Sequence, residues 1–359
     1  MSSEASLLRV PQEIWLHINR LAISDWSPLA LAYSDRFRYW PLFDPFMEIE
    51  EVLRVARSFA LVSRLWYALA NEILFENIRV DDCFHSLYNA LNRRSATHFV
   101  RSICFSRTRL DHNRAILACC PLVEIVVLPP SNPYQVPQRF PDDRELYSDT
   151  QLPFLQLPFL RHIYWTESRQ VSGLLRKLVP VAPSLEGSST LRGLTVRDIS
   201  PSVDTDMRNL TLLHCTISFL AHPFSPATLP CITVLRLFGL VGRIDFATVF
   251  TQFPRLQELS YDVLNPPSAP TGCRSVPLPL IGLHSDLVHV VRDWTLVEDH
   301  FALLASPAFP EVQRIVLYGV NGHGAWHQVV ADARFSRFRS ALHARGCQLE
   351  FPEGHVLSP

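Results

Sequence analysis

Glycine is scarce in this chain, with 12 residues among 359 against 28 prolines. No P-loop, G-x-G-x-x-G or G-x-S-x-G motif occurs, so the common phosphate-cradling loops and the nucleophile elbow are absent. Charge of either sign is not in excess. Lys+Arg number 33 and Asp+Glu 34, a formal net charge of −1. Such a chain has no global attraction to nucleic acid or to an anionic membrane. Apolar runs are short, and none approaches the roughly 20 residues that a membrane helix needs. The first residues, MSSEASLLRVPQEIW, lack the basic-then-apolar pattern of a secretory signal. The 8 cysteines form no C-x-x-C pair. In a chain of this length they read as buried thiols of a reducing compartment. The expectation is a soluble cytoplasmic or nuclear protein with no cofactor, no metal, no nucleic-acid partner and no membrane association.

What the chain does have is apolar substance: 48% of residues are hydrophobic and 19% charged. That suffices for one large core or two ordinary ones and excludes a disordered chain. The proline surplus predicts many short elements separated by stiff turns.

The strongest pattern lies between Arg54 and Val80. Val55, Phe59, Val62, Trp66 and Leu69 are spaced by alternating steps of four and three, which predicts one face of a long helix. Ile73-Leu74-Phe75 and Ile78-Arg79-Val80 add a second short apolar piece. Upstream, Leu7–Leu21 has Pro11 at a helix start, Glu13 in its first turn, and Ile14, Ile18 and Leu21 as a stripe. Residues 24–50 are aromatic and broken by Pro28, Pro41 and Pro45, which predicts a loop with at most a short helix. Its rings, Trp26, Tyr33, Phe37, Tyr39, Trp40, Phe43 and Phe46, read as cover for the neighbouring helices or as a partner patch.

After Val80, strand-like runs alternate with helical patches of about ten residues. Strands are predicted in 99–105, 122–128, 159–165, 191–196, 210–217, 232–240, 256–264, 312–318 and 347–351. Helices are predicted in 110–120, 171–179, 244–253, 297–306 and 325–345. Residues 129–153 and 265–279 are proline-rich and read as long loops, and 286–294 is ambiguous. Several strand runs share the form Pro-x-φ-x-x-φ-x-φ, where φ is apolar, starting at Pro121, Pro158, Pro230, Pro254 and Pro310. Versions without proline occur at Val100-Ile103-Phe105 and Leu191-Leu194-Val196. A unit of one short strand cannot bury its own apolar face, so the form predicts stacking against its neighbours.

The candidates for metal or acid chemistry have simpler readings. His323 and His327 are four apart but lack the intervening Glu of H-E-x-x-H, and read as surface or cap residues. Cys119 and Cys120, taken as neighbours within one helix, cannot both face one metal and read as buried thiols. Asp81-Asp82 and Asp142-Asp143 fall in turns. Arg334, Arg337, Arg339 and Arg345 give the predicted closing helix a solvated basic face.

Val10-Pro11-Gln12-Glu13-Ile14, followed by Ser58-Phe59-Ala60-Leu61-Val62-Ser63-Arg64-Leu65-Trp66, resembles the F-box. That motif usually reads Leu-Pro-x-Glu-Ile, then a helix with a Leu-Val-Cys-Arg-x-Trp-like core. Ile73–Val80 is similar to the strand-leading tail of many fungal F-box proteins, and the repeated strand form resembles degenerate leucine-rich repeats. Val10 stands where Leu is usual, Asn19 where Phe is common, and the spacer at about 22–53 is longer than in the family. The resemblance implies an α/β protein: an F-box-like helical module over 1–80, then a leucine-rich-repeat-like solenoid over 81–359 with short parallel strands alternating with helices or loops. It implies a non-catalytic substrate-recognition subunit of a cullin–RING (SCF-type) ubiquitin ligase. Pro11, Ile14, Leu61, Val62 and Trp66 would face or shape the contact with a Skp-family adaptor, and through it cullin, while the repeats hold a target protein. The alternative is a repeat-type interaction scaffold whose F-box-like segment is structural and has no ligase role.

Overall fold

The computed structural model describes residues 11, 14–16, 18, 45–81, 83–93, 96–105, 110–128, 157–165, 192–196, 211–216, 231–238, 244–263, 267–268, 278–285, 294–319, 324–351 and 354–358. The helix expected over 171–179, the loop over 129–153, the stretch 286–293 and the rings Trp26, Tyr33, Phe37, Tyr39, Trp40 and Phe43 lie outside them. The chain forms two compact units, Met1–Trp165 and Thr166–Pro359. Both are mixed helix and parallel strand, the coarse α/β class that the alternating pattern predicts.

The described residues of the first unit open within the helix expected over Leu7–Leu21: residues 14–16 and 18 are helical, and the Ile14 and Trp15 N–H groups donate to Pro11 O at 3.0 and 3.3 Å. Two helices follow, α1 (Pro45–Ala60) and α2 (Arg64–Glu76). The single helix expected across Val55–Leu69 is therefore interrupted, and α1 starts at Pro45, inside the stretch expected to loop out. Proline fits a first helical turn because its missing N–H has no intrahelical role there. The interruption has a local cause. Ser63 is extended (φ −162) and its Oγ accepts the Trp66 N–H at 3.2 Å, an N-cap that starts a new helix. The end of α1 closes through Leu61 N–H to Ser58 O and Val62 N–H to Phe59 O, at 3.2 and 3.0 Å. Ala56 and Ile73 are buried between the two helices, with Leu16, Val55, Phe59 and Leu74 packed around them.

Helix α2 passes directly into β1 (Asn77–Val80) through Asn77, which is extended (φ −123). Three parallel neighbours follow in chain order, β2 (Ser102–Phe105), β3 (Ile125–Leu128) and β4 (His162–Trp165). Their register aligns Ile78, Ile103, Val126 and Ile163 in one buried row. Just before the strands, Glu124 lies between Arg101 and Arg161, at 3.7 and 3.5 Å. Burial raises the Glu124 pKa above its ordinary value, against the opposing pull of Arg161. Helix α3 (Phe84–Arg93) precedes β2, and α4 (Leu110–Cys119) precedes β3. Helix α3 is absent from the sequence-based expectation, although Phe84, Leu87, Tyr88 and Leu91 carry helical spacing.

Among the described residues, the second unit holds seven parallel strands in chain order: β5 (Gly193–Val196), β6 (Leu212–Thr216), β7 (Val234–Phe238), β8 (Glu258–Asp262), β9 (Leu280–Ser285), β10 (Arg314–Gly319) and β11 (Gln348–Glu350). Leu235, Leu259, Ile281, Ile315 and Leu349 face one another across the register and are buried, as are Leu237, Tyr261, Leu283 and Leu317. Each row supplies what one short strand cannot supply alone, a partner on both sides. Between strands lie α5 (Phe246–Gln252), capped by Asp245, and α6 (Trp294–Leu304). The closing helix expected over 325–345 is divided at Asp332 into α7 (Gly324–Ala331), a 3₁₀ turn (Ala333–Phe335) and α8 (Ser336–Ala344). Asp332 Oδ1 accepts the Arg334 N–H at 2.9 Å and so starts the turn. Gly346 (φ +77) ends α8, with Cys347 N–H returning to Leu342 O at 3.0 Å. Strand β9 was not anticipated, because Pro279 and Gly282 interrupt its apolar run.

Candidate functional site

The α1–α2 corner exposes apolar side chains that the interrupted helix would otherwise carry on its stripe. Leu61 is 88% exposed and Val62 64%. Ile14 (48%) and Ile18 (42%), four residues apart in the helical segment after Pro11, and Tyr67 (45%) are also exposed. Among the described residues, the only other large apolar side chains this exposed are Phe159 and Val356. Exposed apolar groups thus concentrate in the helical segment ahead of β1, whereas scattered single ones are ordinary.

The five residues singled out from sequence divide in role. Ile14, Leu61 and Val62 are exposed, and exposed Pro11 offers its carbonyl to start the Ile14 turn. Trp66 is half-buried, its ring 5.7 Å from Trp15 and 5.3 Å from Phe59. It fastens the Pro11 turn to the helix pair while Leu16 packs inward. Tilted and edge-on ring pairs of this kind add to the burial that holds such a junction.

At the β1 end of the helix pair, within the same unit, is an open groove of about 680 Å³. Leu53, Leu74, Phe75 and Ile78 give it an apolar floor, and Arg54, Arg57, Arg79 and Asp81 line it with charge. Asn77 also lines it, buried, with no hydrogen-bond partner for its Oδ1.

In the second unit, the strand face opposite the leucine rows carries polar groups that sequence reasoning passed over. Arg236 and Glu258 pair at 3.4 Å with both side chains under 5% exposed. Asp262 lies opposite His284 in the register, and His284 opposite Tyr318, whose ring stacks on it at 4.3 Å. Ser260 is on the same face as Asp262, so a serine, a histidine and an aspartate share one surface. Ser260 Oγ is buried without a hydrogen-bond partner. The nucleophile–base bond of a catalytic triad is therefore not made here. Behind this face, Tyr261 Oη lies 3.3 Å from His300 Nδ1, and burial pushes the phenol well above its ordinary pKa. The signal for the polar face was the alternation within ELSYD and LIGLHS, masked by the apolar rows that dominate both runs.

The remaining candidates resolve locally. Asp81 Oδ1 accepts the Cys83 N–H at 2.8 Å ahead of α3. Asp82, Asp142, Asp143 and His323 lie outside the described residues, and the His327 ring is 4.5 Å from Phe351. The arginines expected on one solvated helix face have separate tasks. Arg334 chelates Asp332 and covers the Trp294 ring at 4.2 Å, and Arg337 pairs with Glu298. Arg345 donates to the carbonyls of Leu304, Ser306 and Phe309, closing the end of α6. Cys119 and Cys120 are not two residues of one helix. α4 ends at Cys119, and the two sulfurs lie 3.7 Å apart. No helix among the described residues is long and apolar enough to cross a membrane. No known protein family's model matches the chain, and no curated protein matches it.

Proposed function

We propose that the chain is the substrate-recognition subunit of a cullin–RING (SCF-type) ubiquitin ligase, working in the cytoplasm or nucleus. The α1–α2 corner is the observation that carries this reading. Leu61 and Val62 project from a turn fixed by the Ser63 cap, and exposed Ile14 lies in a helical segment fastened to the same helices through Trp15 and Trp66. A small helical body that leaves aliphatic groups in water has the form of a docking module for another helical protein. In this reading Pro11, Ile14, Leu61 and Val62 meet the Skp-family adaptor, and Trp66 sets the surface from beneath. The strands over 81–359 then form a leucine-rich-repeat-like solenoid that holds a target protein. Chain-consecutive strands pairing in parallel, with aligned leucines, support that reading. Bond-making belongs to the other subunits, so this chain needs no catalytic group and no cofactor.

The test is co-purification of the full chain with a recombinant Skp-family adaptor. Leu61→Asp and Val62→Asp each should weaken capture by about 30-fold, the scale of a ~2 kcal/mol hot spot, with the unfolding midpoint unchanged. Trp66→Ala should lose capture and stability together. A wild-type chain that is folded yet never retains the adaptor sinks the ligase reading and leaves the scaffold with a structural F-box-like segment.

A further inference from the structure

The end of α4 brings together two thiols that the proposed docking does not use. Cys119 is the last residue of the helix and half-exposed, and Cys120 is buried. The Cys120 N–H still reaches back to Ile116 O at 3.1 Å, and Pro121 follows, so the helix cannot continue normally. The change of direction turns both side chains the same way. Their sulfurs sit 3.7 Å apart, and Cys119 Sγ is also 3.1 Å from Ile116 O.

We propose that Cys119 and Cys120 form a redox-modifiable vicinal dithiol, closed to a disulfide by low-molecular-weight disulfides and open to bidentate thiophilic ligands such as trivalent arsenicals. Cys119 is the attacking group, because it is the more exposed of the two. Its hydrogen bond with Cys120 holds its pKa below the ordinary value against the opposing effect of burial. Cys120 is held as a thiol by that same hydrogen bond and by burial.

The steps balance. Cys119 thiolate attacks one sulfur of R–S–S–R, forms Cys119–S–S–R and releases RS⁻. Cys120 then loses its proton to solvent, attacks Cys119 Sγ and displaces the second RS⁻. The protein loses two electrons and two protons, and the small disulfide becomes two thiols. Closure requires the sulfurs to move from 3.7 Å to about 2.05 Å. Adjacent Cα atoms are about 3.8 Å apart, shorter than the usual span across a disulfide, so the ring is strained and easily reduced. A bond of that kind switches with the thiol pool instead of locking the fold. The arsenical arm exchanges two hydroxyls on arsenic for two thiolates and releases two waters.

The test treats the folded full chain with oxidised glutathione and maps cysteine-containing peptides by mass spectrometry. The expected product is a peptide spanning both residues that has lost two hydrogens, carries no adduct and is restored by dithiothreitol. Exposed Cys83 serves as the internal comparison, since a single thiol stops at the mixed disulfide. In Cys120→Ala, mixed disulfide at Cys119 should rise about tenfold or more over wild type, because the resolving thiol is gone. A wild-type Cys119 that stays as the mixed disulfide, that pairs with another cysteine, or that remains reduced while Cys83 reacts overturns the proposal. Phenylarsine oxide on the wild-type chain gives a readout independent of any variant's folding. Bridging of both residues, with protection from later oxidation, is expected, and absence of the bridged peptide overturns the proposal.

Discussion

At the residue scale, Gly282 shows how a strand position can be dictated from the next strand. A Cβ added there would lie 2.7 Å from Tyr318 Cε2 and 2.9 Å from Ser260 Cβ. Tyr318 cannot easily withdraw, because its ring is stacked on His284. Gly282→Ala should therefore cost about 1–3 kcal/mol, read as a lower denaturant midpoint at constant slope. Coupling to Ser260→Gly tests the cause. If the clash is the source, the double variant recovers part of the loss, and additive effects contradict it. The buried Arg236–Glu258 pair obeys a different rule. Arg236→Ala leaves a carboxylate without its cation and should cost about 3–5 kcal/mol, whereas replacing both residues with Met and Leu should cost much less. Chemical denaturation of the single and double variants separates the two, and equal losses would refute this account. None of the three announces this role in the sequence, because the group that each meets lies on a neighbouring strand, 22 residues away for Arg236 and Glu258.

At the element scale, the α1–α2 junction is where pattern and structure part. The four-three spacing runs through Val62, so periodicity alone continues the helix across the turn. The interruption was nevertheless written locally, in Ser63 three residues before Trp66, a side chain that competes for the helix N–H groups and favours a cap. Ser63→Ala removes that cap and should cost ~1 kcal/mol, seen as a lower unfolding midpoint. It should also weaken adaptor capture more than the stability loss explains, since Leu61 and Val62 depend on the turn for their exposure. A variant with normal stability and normal capture would show that the turn is fixed by something other than Ser63. The same contrast explains what else was legible. Seven of the described strands were readable because Pro-x-φ-x-x-φ-x-φ, or its version without proline, places apolar residues where a neighbouring strand requires them. The division at Asp332 followed the logic of Ser63, a capping carboxylate inside a helical stripe. The role of Arg345 was not readable, because the carbonyls it satisfies belong to a helix some forty residues earlier.

At the scale of the whole molecule, charge balance constrains how the chain can find a partner. With 33 basic and 34 acidic side chains there is no long-range field to accelerate encounter. The groove at the β1 end of the helix pair gathers Arg54, Arg57 and Arg79, but the exposed side chains at the corner are aliphatic. The proposed docking is then governed by apolar burial, which salt does not screen, and not by steering, which it does. Adaptor affinity should change less than about threefold between 0.05 and 0.5 M NaCl, while sodium sulfate, which favours burial, should strengthen it. Titration calorimetry across that range reads both, with a negative heat-capacity change as the accompanying sign of apolar contact. A steep loss of affinity with NaCl would move the contact from Leu61 and Val62 to the arginine-lined groove. Arg57→Ala should then be the damaging substitution and Leu61→Asp the mild one.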